Sequence, residues 1–289
     1  MRYFGYIFVV LMAVALATGV TVLLVGNLAE RLSMAPMLGL TVSDQVATSS
    51  PRILLMRGVL RNVRYGGRVA GGPVYFRFAD GWSGVSPTGA RGVAYAVRRG
   101  IVPDGRYDYE AHLTELSPHL GVRGRGTVWV GIPEKAVVWV DTAGVLVEEG
   151  RPGGPGGRRE GPWPEAADAL QVLARSHQLV YLVVAEPAEY EDVRRRLGAS
   201  DLPEAPAIWI DLGAEGYTLK RLRDFWPRVR AALVATAALE APVRSRRVEV
   251  WPVAEAGGWA TGDRKVMPWS EVVDRLAPAG EAAEERAGL

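Results

Sequence analysis

Between Arg2 and Glu30 no charged residue interrupts the chain, and the run FGYIFVVLMAVALATGVTVLLVGNL (4–28) has no polar face. A helix needs roughly 20 apolar residues to cross about 30 Å of hydrocarbon, so this pattern predicts a transmembrane anchor over residues 1–29. Ala15-Leu16-Ala17 has the small-x-small form of a signal-peptide cleavage site, but apolar residues continue to Val25 and favour an uncleaved span. Arg2 sets the expected orientation, with the N-terminus cytoplasmic and the remainder of a single-pass protein outside the cytoplasm. Residues 30–50 show no clear period and read as a tether.

From 51 to 133 the pattern changes to short alternating runs rich in Val, Tyr, Phe and Trp, such as GPVYFRFAD, GRYDYEAHL and GTVWVGI, with turn residues between them. That spacing predicts a β-sandwich. From 134 to 276 apolar strands alternate with helical patterns: VVWVDTAGVLV, PEAADALQVLARS, LVYLVVA, AEYEDVRRRLG, APAIWIDL, and so on to SEVVDRL. Strands apolar on both faces, each followed by a helix, predict a doubly wound parallel sheet whose ligands bind at the carboxyl edge. Residues 277–289 carry no apolar stripe and read as a disordered tail. The expected fold class is therefore an α/β doubly wound parallel sheet, an all-β sandwich and one N-terminal transmembrane helix.

Composition narrows the chemistry. Of the 289 residues, 48% are hydrophobic and 23% charged, a globular balance. The absence of Cys excludes disulfides, thiolate metal sites and Cys nucleophiles. Charge is divided unevenly: residues 52–125 hold twelve Arg and five acids, a net of +7, and residues 132–289 hold 20 bases and 25 acids, a net of −5. A basic β region can face a bilayer, dock on its acidic neighbour or be solvated, and the last two are the ordinary outcomes. No aromatic-basic RNA motif, zinc finger or basic helix appears, so nucleic acid is not an expected partner. His112, His119 and His177 lie on different elements without metal-ligand spacing. The Gly-rich stretch 150–164 lacks Gly-Lys-Ser/Thr and reads as a flap. Trp139, Trp209 and Trp251 sit inside strand patterns and read as core.

Two resemblances follow from particular motifs. GGPVYFRFADGWSGVSPTGARGVAYAV, with Thr88 and Gly92 at their spacing, resembles bacterial immunoglobulin-like and transthyretin-like modules. Asp141 at the end of the first strand, with Gly144 three residues on, resembles the haloacid dehalogenase-like hydrolases of lipin type over residues 134–276. The second resemblance implies a nucleophilic Asp141, a phosphate-binding Lys220 and a metal-binding pair Asp141 and Glu240. Against it, the proton-transfer position is Ala143, the usual Thr is Val145, the second strand ends in Ala185, and Thr236 replaces the principal metal carboxylate. Losing a general acid or base costs about 10² to 10⁴ in rate, and losing a metal carboxylate removes the cation as well. The implied function is a membrane-anchored binding or scaffold module without catalysis or cofactor, with a protein partner in the cell envelope. The alternative is a divergent Mg-dependent phosphatase or phosphoester hydrolase using Asp141.

Overall fold

The computed structural model describes residues 38–48, 53–63, 65–113, 122–131, 133–147, 161–211, 215–256 and 265–277. The expected anchor (1–29), most of the flap (150–164) and nearly all of the tail (277–289) lie outside them.

Eight strands come first: β1 (Leu38–Ser43), β2 (Gln45–Ala47), β3 (Ile53–Asn62), β4 (Pro73–Phe78), β5 (Ser83–Pro87), β6 (Val93–Arg99), β7 (Gly105–Leu113) and β8 (Arg123–Val130). They form an antiparallel sheet β1-β3-β6 and a five-stranded sheet β2-β8-β7-β4-β5, in which only β2 and β8 pair in parallel. Alternate residues point between the two sheets, and Val42, Leu54, Met56, Phe76, Tyr109 and Val128 fill that space.

The second half contributes β9 (Ala136–Asp141), α1 (Pro164–Ser176), β10 (His177–Val184), α2 (Pro187–Ala199), β11 (Ala207–Ile210), α3 (Glu215–Phe225), β12 (Val229–Val234), α4 (Ala237–Arg244), β13 (Glu249–Pro252) and α5 (Trp269–Leu276). Its strands pair in parallel in the order β11-β10-β9-β12-β13. Both faces are covered, as runs such as Val137–Val140 require: Val138 and Val140 join one core with α1, α2 and α5, and Val137 and Trp139 join another with α3 and α4. Helix α1 buries Ala166, Ala169, Leu170 and Leu173, one stripe at helical spacing. Helix α2 starts on a capping box, Glu186 N–H donating to the Glu189 carboxylate at 3.1 Å, with Pro187 in its first turn.

Two expectations are corrected. The class is mostly β, 44% strand against 28% helix among the described residues, because five parallel strands add to eight in the β region while the helices are short. The expected transmembrane helix falls on residues outside the described ones; among the described residues the α-helices run 8 to 13 residues, and none is long and apolar enough to cross a membrane. The tether is also revised, since residues 38–47 are strands β1 and β2, the first of them an edge of the three-stranded sheet.

Candidate functional site

The carboxyl edge of the parallel sheet is where ligands of such sheets bind, and Asp141 ends its central strand. The side chain is 1% exposed. One carboxylate oxygen accepts from Ala143 N–H at 3.1 Å, capping the 3-10 turn Thr142–Gly144. The other accepts from Ala235 N–H at 3.1 Å and Thr236 N–H at 2.6 Å, where β12 gives way to α4. Burial raises the carboxyl above the ordinary Asp range, and these N–H donors pull it back. Gly144 is closely surrounded: a Cβ there would lie 3.1 Å from Val253 Cγ2 and 3.3 Å from the Ala254 carbonyl. Asp141 therefore ties the ends of β9 and β12 together.

The other two expected site residues stand elsewhere. Lys220 is exposed on α3, between Leu219 and Leu222, which are buried against the sheet. Glu240 lies in the first turn of α4 and pairs with Arg244 at 3.8 Å. Among the described residues no group of three or more His, Cys, Asp or Glu is placed to hold a metal ion.

Two carboxylates that the sequence did not single out join the halves of the molecule. Asp211, just beyond β11, takes a two-pronged contact from Arg68 at 2.8 and 2.6 Å, with Arg57 Nη2 at 3.6 Å. Arg57 also lies 4.4 Å over the Trp209 ring and donates to the Trp209 carbonyl at 3.3 Å. Burial raises the Asp211 carboxyl, but the Arg68 hydrogen bonds and the Arg68 and Arg57 charges outweigh it, so the net shift is downward. Arginines of the basic β region thus occupy the sheet edge at β11.

Asp44, between β1 and β2, accepts from Thr127 N–H at 3.0 Å and Ala207 N–H at 3.2 Å, and pairs with Arg194 of α2 at 3.0 Å. The Tyr190 hydroxyl accepts from Asp44 N–H at 3.0 Å and donates to the Ala207 carbonyl at 2.8 Å. Burial pushes the Asp44 carboxyl up, against the Arg194 charge and the two N–H donors. The available signal was an acid inside an otherwise uncharged stretch, GLTVSDQVATSS.

Beside Asp44 opens a cleft of about 500 Å³ between the β region and the parallel sheet. Its walls include Arg106 and Trp129 from the β region and Arg194, Leu202 and Glu204 from the other half. Arg106 forms an ion pair with Glu204 across it and lies 5.6 Å over the Trp129 ring. The volume falls within the roughly 300–1,000 Å³ range of small-molecule sites, which favour domain junctions.

No family model and no curated protein matches this chain. Among solved structures, PhoD is similar at 11% identity with a TM-score of 0.31, over 62% of this chain and 38% of that one. A carbohydrate acetylesterase from Xanthomonas citri is similar at 13% identity with a TM-score of 0.30, over 83% of this chain and 73% of that one. The chain spans well under half the length of PhoD. Such loose superpositions transfer no activity. The haloacid dehalogenase-like description has no match among these comparisons, and Asp141 is enclosed by backbone amides where a nucleophile must be open.

Proposed function

We propose that the protein is a binding module without hydrolytic chemistry, its ligand seated in the cleft between the β region and the parallel sheet. The observation that carries this reading is the state of Asp141. A carboxylate nucleophile must present an oxygen to the electrophile, and both oxygens here accept backbone N–H groups inside the fold. Asp211, the next acid along the same edge, is held by two arginines. The cleft is an open space at the junction where polar groups of both halves converge.

The test sets hydrolysis against stability. With Mg²⁺ and p-nitrophenyl phosphate the purified protein should show no turnover above a buffer blank. Asp141→Asn should unfold about 1–3 kcal/mol more easily in urea, because its amide nitrogen would face a backbone donor. Measurable turnover that Asp141→Asn abolishes, with stability unchanged, would sink the proposal.

A further inference from the structure

The charges around the cleft limit what it can hold. Three arginines line it, Arg106, Arg194 and Arg195, and three carboxylates, Asp44, Glu191 and Glu204, so the formal charges cancel. They are also engaged: Arg106 with Glu204, Arg194 with Asp44, and Arg195 with Asp192 of its own helix. One Glu191 oxygen accepts from Val42 N–H at 3.2 Å. A phosphate or polycarboxylate would find no unbalanced positive charge, and a zwitterionic amino acid no unpaired cation and anion for its two ends. What the cleft offers is a rim of planar guanidinium and carboxylate groups around the indole of Trp129 and the apolar surfaces of Leu197, Leu202 and Pro203. Planar two-pronged groups match neighbouring hydroxyls, and an indole matches a face of C–H groups.

We propose, resting on the binding-module reading above, that the cleft takes a neutral polyhydroxylated ring, a mono- or disaccharide. The sugar lies against Trp129 and leaves its hydroxyls to the exposed Arg106–Glu204 pair at the rim.

Gly198 gives the test a variant that spares the fold. It lies near the end of α2 on the wall of the cleft, and a Cβ added there meets no atom within 4 Å. Gly198→Trp should occupy the cleft while leaving the thermal midpoint unchanged or higher, since Gly is the weaker helix former. The full chain would be titrated by calorimetry with glucose, galactose, N-acetylglucosamine and cellobiose, then with glucuronate, glucosamine and a set of amino acids. At least one neutral sugar should bind with a Kd of about 1 mM or tighter. Its affinity should fall about tenfold or more in Gly198→Trp and in Trp129→Ala.

If no neutral sugar binds by about 10 mM, or if Gly198→Trp leaves affinity unchanged, the proposal is overturned. Binding of only the charged sugars or amino acids, lost in Gly198→Trp, overturns the ligand class and leaves the cleft as a binding site. Phosphate-ester turnover lost in Asp141→Asn overturns the underlying reading instead, so the two failures are distinguishable.

Discussion

Asp141 and Asp211 end two strands of one sheet, and their partners set them apart. Around Asp141 the donors are neutral, backbone amides and the Thr236 hydroxyl, so burial dominates and its carboxyl rises; around Asp211 they are arginines, and its carboxyl falls. Asp211→Ala leaves Arg57, whose side chain is 6% exposed, buried without its carboxylate. We expect a loss of about 3–5 kcal/mol in urea unfolding, with Arg68→Ala costing less because that side chain is 27% exposed and partly solvated. The pH dependence has a definite sign. A carboxylate whose folded pKa lies below the 3.8 of the unfolded chain contributes stability above that pH, and loses it as pH falls through the folded value. Asp211→Asn should therefore lose less stability than the parent between about pH 5 and pH 2, followed by urea midpoints across the range. Asp44 has the opposite sign, since its raised pKa favours the folded state most when it is protonated. Asp141 was legible as a strand-ending acid from its place in VVWVDTAGVLV. The residues that bond to it, Ala235 and Thr236, lie 94 and 95 positions away, and no local pattern announces them.

At the scale of elements, β1 is the instructive case. Its sequence LGLTVS alternates apolar Leu38, Leu40 and Val42 with small or polar Gly39, Thr41 and Ser43, yet both faces are covered: Leu40 and Val42 point into the sandwich, and Thr41 on the other face meets α2. The Thr41 hydroxyl donates to the Pro187 carbonyl at 3.0 Å. The alternation is only six residues long and its second face is small and weakly polar, so within 30–50 it does not stand out and the stretch reads as a tether. Crowding around β1 yields a test. A Cβ on Gly124 of β8 would come within 2.3 Å of Val42 Cγ2 and 3.0 Å of the Leu40 carbonyl. Gly124→Ala should destabilise by about 1–3 kcal/mol in urea, and Gly67→Ala, where a Cβ meets nothing within 4 Å, should be near neutral.

Across the whole molecule, the opposite charges of the two halves meet at their junction. Arg57 and Arg68 reach Asp211, and Arg106 reaches Glu204. In the other direction Asp44 receives Arg194. Apolar packing crosses as well: Val59 of β3 belongs to the core of α1 and α5, and Val46 of β2 to the core of α3 and α4. We expect one thermal transition for both halves, with calorimetric and van't Hoff enthalpies equal. Two separated transitions would show that the junction contributes little. By itself the sequence determined the alternation of strand and helix after residue 134, the strand-rich stretch before it, the burial of Trp139, Trp209 and Trp251, and the asymmetry of charge. Each of these is written in neighbouring residues, through side-chain period and composition. Tertiary structure alone decided that Asp141 is enclosed, that Asp44 and Asp211 are the ionic joints, that residues 38–47 are strands, and that a cleft opens beside Trp129. Those outcomes depend on groups brought together across 83 to 163 residues, and such distances leave no trace in local periodicity.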